Sequence, residues 1–298
     1  MRILFTGASG FLGKNILPVL SSHFQVKTIG LMPDEDYRVN FCDTIPDLPE
    51  SFDLILHAAG KAHSIPQTEK EKQAFYDVNY QGTVNLCRAL EKNKLPRTFV
   101  FISTVAVYGC ETGENIEESH PLNGNTPYAL SKKQAEEFLQ TWCSQRGITL
   151  GILRPSLLAG INPPGNLGAM IKGIKEGKYL SIAGGKARKS ILMAEDIARL
   201  IPLLIGKGGI YNLCDDEHPS FRQLEQNIAG QLGKKCPKNI PYWMAKTLAL
   251  AGDCWGANAP INSLKLKKIT KSLTFSNEKA KRELGWQPLN VLEQFKIN

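Results

Sequence analysis

The sequence lacks what metal, disulfide and membrane chemistry would need. Its seven cysteines, Cys42, Cys87, Cys110, Cys143, Cys214, Cys236 and Cys254, are odd in number, scattered, and never spaced as CxxC. They read as reduced thiols, and no metal site is suggested. The longest apolar stretches, around 197–205 and 243–251, fall well short of the ~20 residues that span a bilayer. Met1 and Arg2 run directly into Ile3-Leu4-Phe5, so no signal peptide is expected. No internal repeat, low-complexity linker or basic stretch interleaved with aromatics is present, and nucleic acid is not an expected partner. The expectation is a cytoplasmic protein without stable membrane insertion.

What is present is an ordinary globular balance, 42% hydrophobic and 21% charged over 298 residues. That length suits one α/β domain of common size plus a smaller lobe. The net charge of +8 is unevenly placed: from residue 234 onward there are 12 Lys/Arg against four Asp/Glu, and the preceding residues are neutral. A basic tail faces a membrane surface, a substrate diphosphate or, most commonly, solvent. The apolar helix 242–251, with Trp243, Met244, Leu248 and Leu250, is read as lobe packing rather than a membrane anchor. The basic stretch 265–271 beyond it leaves a place near a membrane-bound partner as the alternative.

In the first half, short β-rich runs alternate with helical patterns, which predicts parallel strands joined by crossover helices. The candidate strands are Arg2–Thr6, Gln25–Gly30, Leu54–His57, Thr98–Ile102 and 149–153; the candidate helices include 11–20, 70–92 and Pro127–Arg146. After Arg154-Pro155 a Gly/Pro-rich stretch, 159–168, leads into a helix and a basic glycine-rich turn at 184–190. Residues 191–205 and 210–213 read as a return to the sheet, and the chain from about Pro219 as short helices and loops. This predicts an α/β fold in which 1–158 and about 190–216 form the larger domain. A smaller substrate lobe then comprises about 159–189 and 217–298.

Thr6-Gly7-Ala8-Ser9-Gly10-Phe11-Leu12-Gly13 follows the first strand and opens the first helix. Glycines at 7, 10 and 13 allow a tight turn, close approach of a pyrophosphate, and packing of the new helix on the sheet. The helix N-terminus then offers free N–H groups to phosphate. A carboxylate at the end of the second strand normally reads the 2′-hydroxyl of NAD, but Gly30 stands there, followed by Leu31 and Met32. That absence favours NADP over NAD, although no arginine replaces the acid. Asp43 is a candidate for the adenine amino group, or a plain loop aspartate.

Tyr128-Ala129-Leu130-Ser131-Lys132 opens a predicted helix, and a spacing of four puts Tyr128 and Lys132 on one face. A phenol titrates near ~10 in water; a nearby ammonium favours its ionised form and makes it a proton carrier. Thr104, at the end of the strand that closes with Phe101-Ile102-Ser103, is placed to bind the substrate oxygen beside it.

These residues together resemble the extended short-chain dehydrogenase/reductase family, also called the NAD-dependent epimerase/dehydratase family. The likeness covers most of the chain. It runs through the glycine loop, His57-Ala58-Ala59-Gly60, Asn79-Tyr80-Gln81-Gly82-Thr83, Ser103-Thr104 before Tyr108-Gly109, the Tyr128/Lys132 pair, Leu153-Arg154-Pro155 and Lys281-Arg282-Glu283-Leu284-Gly285-Trp286. It implies a Rossmann-type doubly wound parallel sheet with a small mixed C-terminal lobe, and a homodimer through helices near 76–90 and 135–142. It also implies that Tyr128 is the acid/base, that Lys132 binds the nicotinamide ribose, that Thr104 orients substrate, and that Asn79 positions the active-site helix. Gly7, Gly10, Phe11, Leu12, Gly13, Ala58, Ala59, Gly60, Ser103 and Pro155 would line the cofactor, NADP or NAD.

The dehydratase branch needs an Asp-Glu pair directly after the threonine. Val105 and Ala106 stand there and cannot move protons, which excludes that reaction. The segments 57–63, Pro164-Gly165-Asn166-Leu167 and Arg188-Lys189-Ser190 are similar to a bacterial branch acting on UDP-N-acetylated 6-deoxy-4-keto sugars. Asn166, Arg188 and Lys189 would then hold the diphosphate of a nucleotide sugar, although loop cations are also common as plain surface. The preferred reading is 4-keto reduction of such a sugar, with NAD-dependent 4-epimerisation as the alternative. A non-catalytic NAD(P)-binding regulatory module and a reductase of non-sugar ketones are the readings from further afield. His57 and His63 are read as structural histidines near the crevice.

Overall fold

The apolar runs become strands that are buried almost end to end, as expected of parallel strands covered by helices on both faces. The computed structural model describes residues 1–297 apart from 63, 257, 258 and 260, so His63 lies outside the described residues. Strand β1 (Arg2–Thr6) feeds helix α1 (Phe11–His23), followed by β2 (Gln25–Gly30) and the short β3 (Tyr37–Arg38). Strand β4 (Leu54–His57) is joined to β5 (Thr98–Ile102) by α2 (Glu69–Tyr76), a π-turn at Asp77–Gln81 and α3 (Gly82–Leu90). A 3-10 turn (Val105–Tyr108), β6 (Gly113–Ile116) and α4 (Pro127–Arg146) lead to β7 (Thr149–Pro155) and β8 (Leu157–Ala159). Next come α5 (Gly165–Lys175), β9 (Leu180–Ile182), β10 (Ile191–Met193), α6 (Ala194–Leu204) and β11 (Gly209–Leu213). The chain ends with α7 (Phe221–Gln231), β12 (Lys238–Ile240), α8 (Tyr242–Asp253), α9 (Ser263–Thr270), β13 (Leu273–Phe275), α10 (Glu278–Leu284) and α11 (Val291–Gln294).

Seven strands form one parallel sheet in the order β3-β2-β1-β4-β5-β7-β11. Chain direction across the sheet reverses between β1 and β4, so the crossovers diverge there and open a crevice above Thr6 and His57. Successive side chains on each strand serve opposite cores. Ile3, Phe5 and Leu56 pack with α1 and α6 on one face; Leu4, Ile55 and Phe99 pack with α3 and α4 on the other. A third cluster joins α5, α7 and α11 through Leu167, Met170, Leu224, Ile228 and Phe295. The tail returns to the first half where β13 pairs with β6.

Two expectations are corrected. The helix read across 70–92 is interrupted: at Asp77–Gln81 the turn widens, and the Gly82 N–H bonds to the Asp77 carbonyl. Within this widened turn the Thr83 hydroxyl donates to the Asn79 carbonyl at 2.7 Å. Helix α8, read as lobe packing, buries only Ala245, Ala249 and Gly252 and turns its large apolar side chains outward.

Candidate active site

The glycine loop closes tightly on the neighbouring strand. A Cβ on Gly7, whose φ is +80°, would lie 2.6 Å from the Ala59 nitrogen. Loop 7–10 and loop 58–60 therefore form one cradle at the crevice. Phe11 and Leu12 start α1, whose N-terminus has no side-chain cap and no acidic residue in its first turn. Its N–H groups are thus left for an anionic ligand.

The end of β2 differs from what Gly30 suggests. Asp36 folds back to accept from the Thr28 N–H at 2.8 Å and to pair with Lys27 at 2.8 Å. That fold-back brings Glu35 over Gly30, where a Cβ would stand 2.6 and 2.7 Å from the two carboxylate oxygens. Gly30 is the space in which the Glu35 carboxylate sits. Burial raises the Glu35 pKa, with Ser9 of the glycine loop pulling the other way. Even so, neither buried oxygen completes a hydrogen bond among the described residues. A carboxylate set beside the glycine loop fits a ribose diol, and the uncapped α1 N-terminus fits a pyrophosphate. The residues present therefore suit a nicotinamide dinucleotide. Asp43 is exposed and accepts from Asn40 at 2.7 Å.

Helix α4 brings the other end of the crevice together. Thr126 caps it by accepting from the Ala129 N–H at 3.2 Å, which puts Tyr128 in the first turn. Burial pushes the Tyr128 phenol upward, and the neighbouring Thr104 hydroxyl pulls it down. Thr104 itself caps the following 3-10 turn through the Ala106 N–H. One turn along α4, the Lys132 ammonium donates to the Ile102 carbonyl at 2.8 Å and lies 4.5 Å from the centre of the Phe101 ring. It also borders Gly60, where a Cβ would come within 3.1 Å of Nζ. Burial lowers its pKa to about 8, while Glu136 acts in the opposite direction. Asn79 donates to the Ser131 hydroxyl at 2.9 Å and accepts from the Lys61 N–H at 2.8 Å. The π-turn thereby fixes α4 and the 58–61 loop to each other.

Several contributors have no assigned role in the sequence reading. Glu136, four residues beyond Lys132, accepts from Ser103 and forms a buried pair with Arg154 at 2.5 Å. Arg154 also donates to the Tyr108 hydroxyl at 3.0 Å, and Tyr108 donates to Asn212 at 2.7 Å. The i, i+4, i+8 spacing of Tyr128, Lys132 and Glu136 was a readable signal for Glu136. Pro155 is buried at the end of β7. Of the substrate candidates, Asn166 is exposed in the first turn of α5. Arg188 donates to the carbonyls of Glu217 and His218, and Lys189 donates to that of Lys271. Burial, followed by the charge of Lys268, lowers the Lys189 pKa to about 8.

His57 is fully buried between two hydroxyls, with Nδ1 2.6 Å from Thr6 and Nε2 2.8 Å from Thr83. Thr6 accepts from the Ala59 N–H and Thr83 donates to the Asn79 carbonyl. This order makes the ring accept at Nδ1 and donate at Nε2, as a neutral tautomer.

Fold and site together define a nicotinamide-dinucleotide enzyme with a doubly wound sheet. The chain belongs to the NAD dependent epimerase/dehydratase family, whose model matches residues 3–214, and it is an NAD(P)-dependent enzyme. It is 29% identical over 300 residues to the N-acetyl-α-D-glucosaminyl-diphospho-ditrans,octacis-undecaprenol 4-epimerase of Escherichia coli O157:H7, covering 93% of this chain and 88% of that one. It is 28% identical over 248 residues to the GDP-6-deoxy-D-mannose reductase of Pseudomonas aeruginosa, covering 76% and 79%. Among solved structures, RMD from Pseudomonas aeruginosa complexed with NADPH superposes with a TM-score of 0.76 at 22% identity, covering 99% of this chain and 96% of that one.

The buried imidazole gives a stability prediction. Burial and, secondarily, the Lys132 charge depress its pKa from 6.5 to about 3. Because the folded value is the lower one, this stability is complete above pH 6.5 and is lost as pH falls towards 3. Stability against denaturant should fall through that window, as pH drops, by up to about 1.4 kcal/mol per pH unit on account of this one ring. His57→Asn should remove that part of the slope; an identical slope in the variant would contradict the assignment.

Proposed function

We propose that the protein is an NAD-dependent 4-epimerase of an N-acetylated hexose carried on a diphosphate. The carrying observation is the Glu35 carboxylate above Gly30. It accepts from the vicinal ribose hydroxyls of NAD and repels a 2′-phosphate, which removes the ground for preferring NADP. Both named relatives act, by their names, on sugars attached to diphosphates, and the Escherichia coli protein is named as a 4-epimerase.

In this reading the Tyr128 phenolate takes the proton of the C4 hydroxyl while hydride leaves C4, and Thr104 hydrogen-bonds the same oxygen. Lys132 favours the phenolate electrostatically and binds the nicotinamide ribose. The bound dinucleotide supplies a reversible hydride acceptor. The 4-keto sugar then presents its opposite face, C4 regains hydride, and Tyr128 returns the proton. Asn79 positions α4 through Ser131. The diphosphate is taken by Asn166 in the uncapped first turn of α5, with positive charge from Arg188 and Lys189. The second reading, 4-keto reduction with exchangeable cofactor, is favoured by the reductase relative and by the 164–167 segment.

Nucleotide released from the purified, denatured protein decides between them: near-stoichiometric NAD supports the epimerase, and empty protein or NADP supports the reductase. Tyr128→Phe should lower turnover by about 10³-fold with NADH binding retained; a variant keeping most activity would overturn its role. In direct binding measurements, Glu35→Ser should improve NADPH affinity relative to NADH by roughly tenfold to a hundredfold, and an unchanged ratio would remove Glu35 from cofactor selection.

A further inference from the structure

The least explained surface of the molecule lies on α8 and α9. Helix α8 carries two charged side chains in its twelve residues, Lys246 and Asp253. Asp253 is engaged by the N–H and hydroxyl of Ser263. An ordinary surface helix turns its large apolar side chains inward; here the order is inverted. Ala245 and Ala249 pack against Leu266 of α9 and Ile182 of β9. Trp243 is 67% exposed and Leu250 55%, with Trp255 at 74% and Leu264 at 63% on the segment that follows. Trp243, Thr247, Leu250 and Cys254 recur at i, i+4, i+7 and i+11, which makes one outward stripe opposite the alanines.

The surrounding charge is mostly positive, with Glu111 paired to Lys267 at 2.8 Å as the acidic exception. Lys234, Lys235 and Lys238 precede α8, and Lys267, Lys268 and Lys271 lie along and just beyond α9, all six exposed. Between Asp253 and Glu278 the chain contains no acidic residue. We propose that α8 and α9 form a peripheral docking surface for an anionic lipid bilayer, with α8 lying in the plane of the headgroups. An apolar stripe bearing tryptophan, bordered by lysine, matches the two demands of that interface: burial of apolar area and attraction to negative headgroups. A symmetric pairing of two copies would set the same lysines against each other, because a two-fold interface brings identical patches together. Helix α9 adjoins the turn at Ala183–Gly185, and Lys189 is bound to the Lys271 carbonyl. Docking therefore brings the substrate lobe to the bilayer. Among the described residues no helix is long and apolar enough to cross a membrane, so this contact is superficial and reversible.

The test is flotation of the full chain with vesicles of phosphatidylcholine containing phosphatidylglycerol, and with phosphatidylcholine alone, at low and high salt. The protein should float with the anionic vesicles, show a blue shift of tryptophan emission, and release at high salt. The double variant Trp243→Ser, Leu250→Ser should lower partitioning about tenfold or more. Lys268→Gln and Lys271→Gln should each cost about fivefold. NADH binding and melting temperature of the variants serve as controls for folding. Absence of vesicle binding by the parent protein would overturn the proposal. So would binding that neither set of variants changes, or a concentration-dependent oligomer that Trp243→Ser dissolves, which would assign the face to a second copy.

Discussion

The site depends on keeping one ammonium group out of water. Lys132 is almost fully buried at the carboxyl end of β5, where an unpaired charge costs several kcal/mol. Its surroundings are arranged around that charge. The Ile102 carbonyl accepts from it, the Phe101 ring lies beneath it, and Glu136 stands one helical turn beyond. Glu136 is held in turn by Arg154 and Ser103, from the ends of β7 and β5. The carboxylate whose charge favours this ammonium is itself locked to the sheet by Arg154, which fixes α4 at that point. Tyr128 inherits its position from that constraint, and Gly60 is shaped by it because a side chain there would meet the ammonium.

The opposite wall of the crevice is held by neutral groups in series. The Ala59 N–H, the Thr6 hydroxyl, the His57 ring, the Thr83 hydroxyl and the Asn79 carbonyl form a continuous buried chain. It ties β1, β4 and the π-turn together at the point where strand order reverses. Asn79 then hands the connection to α4 through Ser131. In the proposed reading, adenosine-end recognition is built separately, from the turn after β2, so Glu35 sets cofactor preference without touching the reacting end.

Features fixed by local pattern were legible in the sequence. The five candidate strands matched nearly residue for residue, because buried parallel strands are short apolar runs bounded by turns, whereas the short, more exposed β3 and β6 were not read. The glycine loop and the Tyr128/Lys132 pair were legible because their spacings are requirements of close approach and of helical geometry. Glu35 was not: its arrival over Gly30 depends on Asp36 folding back onto Thr28 and Lys27, a contact no periodicity announces. The π-turn was hidden for a related reason, since 70–92 has unbroken helical character and only the bond from the Gly82 N–H to the Asp77 carbonyl shows the widened turn. Helix α8 was misread because an apolar helix with small residues on one stripe has the same composition whether that stripe faces in or out.

The central claim is that hydride leaves and returns to the same carbon within one bound complex. It is tested most directly by supplying UDP-N-acetylhexosamine, and the same sugar on a polyprenyl diphosphate, deuterated at C4 and without added cofactor. The account predicts a C4 epimer that retains its deuterium at C4, with no label passing to solvent or to free nicotinamide nucleotide. Conversion that requires added reduced cofactor, or label lost from C4 in the product, would contradict it.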